Sequence, residues 1–345
     1  MFLQRTDSMA KLIRIIFFFP ISLVLGIVLR IRHFLYDIGV FKSKQFSIPV
    51  ICIGNLELGG SGKTPMLDYL LHKFSGAYKI VCLSRGYGRN STGFHWLNDC
   101  SGPEEAGDEP WLIYSRHGEK VKVAVDADRV SGVERILKEF PETNLILLDD
   151  AMQHRAIEPS FRILLTPFQK PFFQNFLFPS GSLRDVKNAA EKADMLVFSK
   201  AKLANDDLLS DAKNASDLAG WTKKPVFVST VVYADPKNRD GAFLENGAVV
   251  ICISGLASNE AFFEYCGSRW KVSEKISLPD HYHYQKDFFQ SRRIPEGAVC
   301  LCTEKDFYKI LSVAPEPDKV FYLPIEIMVH PETKFLAVIE KHIHN

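Results

Sequence analysis

The chain has 345 residues, of which 46% are hydrophobic and 24% charged, and its formal net charge at pH 7 is +1. This length predicts two domains rather than one ordinary core, and the composition is typical of a globular protein and not of a disordered one. The small net charge excludes a molecule-wide positive electrostatic field that would attract nucleic acid, so local groups must hold any anionic ligand. The seven cysteines include no C-x-x-C pair, which favours reduced, buried thiols over a zinc site or a disulfide framework.

Residues 1–45 combine apolar and basic character. A mostly apolar run covers residues 15–29, with Lys11 and Arg14 before it and Arg30 and Arg32 after it. The run is shorter than the about 20 residues of a bilayer span, and no clear export cleavage site follows it. We therefore expect a membrane-associated helix that lies on or dips into an anionic surface. A buried core helix and a true single span are the alternatives.

Strand-like and helix-like segments alternate between residues 46 and 225. The runs that predict strands are apolar and rich in β-branched residues, and several precede segments of helical spacing. They cover residues 47–55, 78–89, 120–130, 143–150, 161–168 and 193–200. This alternation predicts an α/β fold with a parallel sheet that helices cover on both faces.

A second, smaller α/β domain is predicted for residues 226–345. The segment at 224–236 alternates like an exposed or linking strand, and a strand–turn–helix pattern restarts at 247–258. Further strands are expected at 297–307 and 319–329.

The stretch GNLELGGSGKTP, residues 54–65, ends like a phosphate-binding loop, although Glu57 stands where the strict G-x-x-x-x-G-K-[ST] pattern has glycine. It follows a predicted strand and opens a predicted helix, as the motif requires. Lys63 can reach the β- and γ-phosphates and Thr64 can ligate Mg²⁺, while the glycines free backbone N–H groups for phosphate. A glycine-rich turn without a ligand is the alternative. The candidate nucleotide-binding residues are Gly59, Gly60, Ser61, Gly62, Lys63 and Thr64.

Acidic residues follow two other segments. Asp149 and Asp150 end the apolar run LILLDD, where a parallel sheet collects ligands and a second metal-site carboxylate is expected. Gln153, His154 and Arg155 come next and could contact phosphate or substrate. A structural cap or turn is the alternative for the two acids.

The stretch GDEP places Asp108 beside Glu109, so one carboxylate could serve a metal and the other a substrate hydroxyl. A helix cap before proline is the alternative. In LPDHYHY, His281 and His283 form an H-x-H pair, but no third ligand with metal-site spacing is evident.

The ordered set PVICIGNLELGGSGKTP, SRGYGR, GDEP, LLDDAMQHR, FPSGSLR, SGLAS, LPDHYHY and TEKDF resembles the tetraacyldisaccharide 4'-kinases, the lipid A 4'-kinases of Gram-negative bacteria. The resemblance covers nearly the whole chain and implies a P-loop NTPase-like domain first and a second domain that closes over the active site. It implies transfer of the ATP γ-phosphoryl group, with Mg²⁺, to the 4'-hydroxyl of a lipid A disaccharide 1-phosphate, giving lipid IVA. It also implies a location at the cytoplasmic face of the inner membrane, and a monomer is compatible with the sequence.

The resemblance also assigns roles to single residues. It implies that Asp108 is the catalytic acidic residue, whose carboxylate accepts the hydroxyl proton. His281 would be its partner, with His283 as the less favoured alternative. Glu109 would be associated with magnesium. Lys63 would neutralise the transferred group, and the candidate metal ligands are Thr64 with a carboxylate from Asp149, Asp150 or Glu109. The candidate substrate contacts are Arg85, Arg129, Gln153, His154 and Arg184.

The chain departs from the family pattern at three places. Ala151 replaces the glycine of DDGxQH, and FPSGSLRD has Ser182 and Asp185 where the family has proline and glutamate. These departures affect the expected loop geometry and substrate fit, and leave the reaction class unchanged.

Other functions remain open from the sequence. A P-loop GTPase switch needs N-K-x-D, and the nearest stretch, TEKD at residues 303–306, has its lysine one place late. A partition-type ATPase has a lysine near the start of its loop, where this chain has Glu57 and Leu58. A membrane-anchored nucleotide-binding module would leave Asp108 and His281 without a role.

Overall fold

The computed structural model describes residues 2–221, 224–256, 258–289 and 297–344, with side chains from residue 16 onward. The helices are α1 (Phe2–Asp37), α2 (Lys63–Phe74), α3 (Pro103–Ala106), α4 (Asp108–His117), α5 (Arg129–Glu139), α6 (Asp206–Leu218), α7 (Glu260–Arg269), α8 (Glu304–Leu311) and α9 (Glu332–Ile343). The strands are β1 (Val50–Asn55), β2 (Ile80–Ser84), β3 (His95–Trp96), β4 (Lys122–Val125), β5 (Leu145–Asp149), β6 (Phe161–Pro167), β7 (Met195–Ala201), β8 (Val226–Tyr233), β9 (Val249–Ser254), β10 (Lys271–Ser277), β11 (Val299–Thr303), β12 (Val320–Leu323) and β13 (Ile325–His330).

The chain forms two compact units, and each is built from separate segments. Unit 1 consists of Met1–Arg85, Glu119–Val231 and Ile327–Asn345, and unit 2 consists of Gly86–Gly118 and Val232–Glu326. The sequence predicts continuous domains with a boundary near 225. In the structure, Gly86–Gly118 belongs to unit 2, and the carboxyl-terminal segment belongs to unit 1.

The sheet of unit 1 confirms the predicted α/β fold. Its strands follow the order β13-β8-β7-β6-β1-β5-β2-β4, and every pair from β8 to β4 is parallel. All residues of β1 and β5 are buried, which explains why both strands are continuous apolar runs rather than alternating ones. The ends of these two strands, Asn55 and Asp149, therefore lie at the same edge of the sheet.

The expectation that residues 224–236 form an exposed or linking strand is wrong. Strand β8 pairs with β7, and its residues from Val226 to Thr230 are buried. Small and β-branched side chains fit both faces of the sheet, and Phe227 packs edge-on against Phe335 of α9. The alternation of residue types here reflects packing on two covered faces and not one wet face.

Unit 2 has a smaller parallel sheet in the order β10-β9-β11-β12. The strand predicted for residues 319–329 is two strands, because Pro324 lies between β12 and β13 and cannot donate a ladder hydrogen bond. Strand β12 pairs with β11, whereas β13 stands beside β8 in the other sheet. The sequence analysis missed β10, an edge strand that is mostly exposed and polar.

Helix α1 turns its apolar side outward. The residues buried against the rest of unit 1 include Ser22, Gly26 and His33, which recur at helical spacing. The large hydrophobic residues exposed along the helix are Ile16, Phe17, Phe19, Ile21, Leu23, Val24, Ile27, Val28, Ile31 and Phe34. A buried core helix is therefore wrong for this segment, and by length and composition Ile16–Asp37 could cross a membrane.

Candidate active site

The phosphate-binding loop joins the buried end of β1 to the start of α2. Gly59 and Gly62 have φ values of 101° and 86°, in the left-handed region that glycine tolerates. The N-cap residue of α2 is Gly62, which has no side chain to cap the helix, so the first N–H groups can face an anion. Ser61 is buried, and within the described residues its Oγ has no hydrogen-bond partner. The loop therefore has the geometry of a phosphate cradle.

A cluster of charged groups stands beside this loop. The Lys63 Nζ atom lies 3.3 Å from Asn55 Oδ1 and 3.8 Å from Asp150 Oδ1. Arg184 donates from both terminal nitrogens to the Asp150 carboxylate, at 2.8 Å for Nη1, and its Nη2 also donates to Asn55. The structure thus brings together three predicted residues, Lys63, Asp150 and Arg184, around Asn55, which the sequence analysis missed.

Asp150 is held in the ionised form. Burial raises the pKa of its carboxyl, whereas the hydrogen bond from Arg184 and the charge of Lys63 lower it. The lowering effects outweigh burial, so the net shift of the pKa is downward. Asp150 also has a φ of 51°, which is uncommon for a residue other than glycine. A strained, ionised carboxylate beside a phosphate loop is typical of a functional position.

Glu57, the residue that breaks the strict motif, lies in the entrance to the loop and is buried. Its backbone pairs with Leu183, and its Oε1 accepts a 2.8 Å hydrogen bond from Asn175. Leu58 N–H donates to Ser182 O at 2.7 Å, and Arg184 N–H donates to Leu56 O at 2.9 Å. These contacts tie the loop entrance to the segment that carries Arg184. Burial raises the pKa of Glu57, although the hydrogen bond from Asn175 opposes the shift.

Oxygen groups that suit Mg²⁺ lie at the same edge of the sheet. Asp149 is buried and its Oδ2 accepts a 3.0 Å hydrogen bond from Ser84, while Thr64 is in the first turn of α2. Within the described residues, no three His, Cys, Asp or Glu side chains form a metal-binding group. Hydroxyl and carboxylate oxygens in small number fit Mg²⁺, which uses one or two carboxylates together with phosphates and water.

The other basic candidates of unit 1 differ in exposure. Arg85 is exposed just after β2. Arg129 is buried and donates to the backbone oxygens of Asp126 and Ala127, at 3.1 and 3.0 Å. These hydrogen bonds hold its guanidinium against the backbone after β4. Burial is the main cause that lowers the pKa of its guanidinium.

Of the polar residues after Asp150, Gln153 contacts the end of β1 and Arg155 contacts α1. The Gln153 Nε2 donates to Asn55 O at 2.9 Å, and half-buried His154 has a pKa lowered mainly by burial. Arg155, the third residue expected near phosphate or substrate, is directed toward α1 in this structure. Its guanidinium donates to His33 O at 3.1 Å and to Asp37 at 2.9 Å, both in α1.

The predicted catalytic pair lies entirely within unit 2. Asp108 is the first residue of α4, and its Oδ2 lies 3.0 Å from His281 Nδ1. His281 has a φ of 59°, and its N–H donates to Asp280. The predicted domain bounds put Asp108 in the first domain and His281 in the second, whose closure was expected to complete the site. In the structure, Gly86–Gly118 carries Asp108 into unit 2, where the two side chains are already in contact.

Helix α8 supplies two lysines to this pair, and the sequence analysis missed both. Lys309 Nζ lies 2.9 Å from Asp108 Oδ2. Lys305 Nζ lies 3.3 Å from His281 Nε2 and 2.7 Å from Asp280. An ammonium group only donates, so Nε2 accepts and Nδ1 carries the hydrogen that faces Asp108. In the sequence these lysines show only an i, i+4 spacing on an amphipathic helix, which places them on one face but does not identify their partners.

These contacts determine the charge of Asp108. Burial raises the pKa of its carboxyl, but the hydrogen bond from His281 and the charges of Lys309 and Lys305 lower it to about 2. Glu109 lies beside Asp108 in the first turn of α4, and consecutive helical side chains point in different directions. His283 is exposed, so His281 and not His283 contacts Asp108.

Known proteins match the chain over nearly its whole length. The family model for LpxK, tetraacyldisaccharide-1-P 4'-kinase, matches residues 14–344. The chain belongs to this kinase family. The tetraacyldisaccharide 4'-kinase of Flavobacterium psychrophilum is 37% identical over 92% of this chain and 93% of its own length. The enzyme of the same name from Cytophaga hutchinsonii is 34% identical over 92% of each chain.

A solved structure of the kinase family has the same fold. LpxK from Aquifex aeolicus, crystallised in complex with ATP, is 29% identical and aligns with a TM-score of 0.75 over 94% of this chain and 98% of its own.

Two of the residues that depart from the family pattern form hydrogen bonds or close polar contacts in this structure. Ser182 Oγ accepts a hydrogen bond from Asn175, and Asp185 Oδ1 lies 2.7 Å from His33 Nε2.

Proposed function

We propose that this chain is an ATP-dependent kinase that phosphorylates the 4'-hydroxyl of a tetraacyldisaccharide 1-phosphate, a lipid A precursor, to give lipid IVA. The observation that carries the proposal is the family match over residues 14–344, which contains both polar clusters described above. ATP is the phosphoryl donor, in agreement with the ATP complex of the Aquifex aeolicus relative.

In unit 1, the loop from Gly59 to Thr64 and the amino terminus of α2 bind the phosphates of ATP. Lys63 offsets the negative charge that develops on the transferred phosphoryl group. Arg184 fixes the Asp150 carboxylate through two parallel hydrogen bonds, which sets its position as well as its charge. Bound Mg²⁺ would neutralise phosphate charge, and the residues of unit 1 that would hold it are Thr64, Asp149 and Asp150.

In unit 2, Asp108 accepts the proton of the acceptor hydroxyl. A carboxyl with a pKa of about 2 is ionised at neutral pH and is therefore a ready but weak base. Phosphoryl transfer through a loose transition state needs little basicity, so Asp108 acts mainly by orienting the hydroxyl. His281 donates from Nδ1 and holds the carboxylate in its rotamer.

The anionic part of the lipid substrate meets basic side chains of unit 1. Arg85, which is exposed at the end of β2, is a direct contact for substrate phosphate. Arg129 is buried behind this edge and supports it. His154, Gln153 and Arg184 complete the candidate substrate residues, and we assign Gln153 a positioning role because its amide is bound to Asn55 O.

We also propose that the enzyme works at the cytoplasmic face of the inner membrane through α1. The helix exposes ten large hydrophobic side chains while its small and polar side faces the protein, the reverse of a soluble surface helix. The acyl chains keep the substrate in a bilayer, so an enzyme that acts on it must bind there. The anchor lies on or in one leaflet, and Arg30 and Arg32 are suited to headgroup phosphates.

The reaction is tested by incubating the purified chain with ATP labelled at the γ-phosphate, Mg²⁺ and a lipid A disaccharide 1-phosphate. Label is expected at the 4' position of the lipid, and the Lys63→Met variant serves as the control that lacks the phosphate-binding lysine. If label appears only as inorganic phosphate, or if GTP is strongly preferred over ATP, the kinase proposal fails.

A further inference from the structure

A short loop beside α1 exposes two aromatic rings to solvent. Phe176 and Phe178 are 46% and 47% exposed, whereas Leu177 between them packs against the core of unit 1. A loop tip that directs two large rings outward gives up the burial that aromatic side chains normally provide. Together the two rings form an apolar surface on this loop.

The loop is fastened to the side of α1 that faces the protein. Ser22 Oγ donates to Leu177 O at 3.0 Å and lies 2.9 Å from Ser180 Oγ. Gly26 permits close approach, because a Cβ atom built there would come within 3.1 Å of Leu177 Cδ1. The loop that carries the exposed rings is thus fixed against α1.

The surroundings of the two rings suit a lipid headgroup layer. Lys187 Nζ stands 5.8 Å from the centroid of the Phe176 ring and donates to Phe173 O at 2.6 Å. Leu58 is also exposed, and its backbone N–H bonds the same segment at Ser182 O. Aromatic rings and a lysine at one surface match the apolar and anionic layers of a leaflet.

We infer that Phe176–Phe178 is a second membrane-contacting element, whose rings enter the same phospholipid leaflet that holds α1. The inference rests on the proposed membrane association of α1 and adds an orientation to it. Two fixed contacts on one rigid unit determine the rotation of unit 1 about the helix axis. Because the Phe176–Phe178 segment is tied to the loop entrance through Asn175 and Ser182, the phosphate-binding loop is then held close to the leaflet.

Depth-dependent quenching tests this contact in the full-length protein. Phe178→Trp adds a fifth tryptophan, and Leu218→Trp adds one at the end of α6, where Leu218 is 91% exposed in the same unit. Both variants are mixed with phosphatidylethanolamine and phosphatidylglycerol vesicles that carry brominated acyl chains. We expect bromine to reduce the added Phe178→Trp emission about twofold or more and to leave the added Leu218→Trp emission unchanged, because an interfacial ring lies about 5–10 Å deep.

Vesicle affinity provides a second measurement. Changing both Phe176 and Phe178 to serine is expected to weaken binding to the same vesicles about tenfold, since two half-exposed rings lose their lipid contact. An ATP-dependent rise in melting temperature checks that this variant folds. The matched control is Phe243→Ser, a solvent-exposed ring in unit 2, which is expected to bind as the unaltered protein does.

The outcomes separate the two proposals. If the unaltered chain does not bind vesicles, the membrane association of α1 fails and this inference fails with it. If the chain binds but bromine leaves the added Phe178→Trp emission unchanged, only the second contact is overturned. Emission that changes with protein concentration and not with brominated lipid would assign the rings to a second copy of this chain, which also overturns the inference.

Discussion

Asp108 shows how neighbouring residues prepare a single side chain for its reaction. Two lysines and one histidine surround a carboxylate that burial alone would tend to protonate, and they lower its pKa to about 2. The cost of holding an ionised group in a partly buried place is thereby met by paired charges. The result is a base with a fixed charge and orientation throughout the neutral pH range.

The first prediction concerns the carboxylate itself. Asp108→Asn keeps the shape of the side chain but cannot accept the hydroxyl proton, so we expect kcat to fall about 10²- to 10⁴-fold. ATP affinity is expected to stay within about twofold, because no residue of the phosphate loop changes. Initial rates and ATP titrations measured by calorimetry check both statements. Full turnover by Asp108→Asn would remove this residue from the role of base.

The second prediction concerns Lys309, which contacts the Asp108 carboxylate and which we treat as a positioning residue. Lys309→Met is expected to lower kcat about 10- to 100-fold by loosening the carboxylate, with the KM for ATP nearly unchanged. Lys309→Arg keeps the donor and the charge and is expected to recover part of the activity. A purely structural role predicts instead that both variants lose activity in proportion to their fall in melting temperature, and thermal unfolding distinguishes the two cases.

At the scale of elements, α1 is connected to the phosphate edge by buried polar contacts. His33 bonds Asp185, the residue after Arg184, and Arg155 bonds both His33 and Asp37. Since Arg184 also holds Asp150, the helix proposed to contact the membrane touches the segment that shapes the site. Docking of the helix and order in the site are therefore expected to change together.

The third prediction tests this connection. His33→Ala leaves the buried Asp185 carboxylate without its histidine partner, and we expect a loss of about 1–3 kcal/mol in the free energy of unfolding. The KM for ATP is expected to rise as the neighbouring Arg184 becomes less ordered. The matched control is Ile31→Ala on the exposed side of α1, which is expected to change neither quantity in solution. An unchanged KM in His33→Ala would mean that the helix and the site are independent.

The sequence predicts local features better than partners at a distance. The strand, glycine loop and helix around Lys63 were predictable because they are contiguous and their periodicity is clear. The lysines of α8 were not, since only the fold places them beside Asp108. The split at Pro324 and the place of Gly86–Gly118 in unit 2 likewise depend on which sheet each segment joins, and hydrophobic pattern does not carry that information.

At the scale of the whole molecule, the formal net charge of +1 does not reveal that polar groups and exposed hydrophobic residues concentrate in different places. Polar groups concentrate at the carboxyl edge of the parallel sheet, while unpartnered hydrophobic surface concentrates on α1. A kinase whose acceptor carries acyl chains needs both surfaces on one chain, since its other substrate is dissolved in water. Under the proposed membrane association, this hydrophobic surface serves substrate access.

The last prediction removes that surface. Deletion of residues 1–32 is expected to shift the protein from the membrane fraction toward the soluble fraction, because ten exposed hydrophobic side chains lie between Ile16 and Phe34 and nine of them are deleted. Fractionation of cells that express the intact and shortened chains provides the measurement. The shortened chain is expected to bind ATP, seen as stabilisation of about 2.7 kcal/mol at 100 times the dissociation constant, because the phosphate loop is intact. A shortened chain that folds, binds ATP and still sediments with membranes as fully as the intact one would show that α1 is not the anchor.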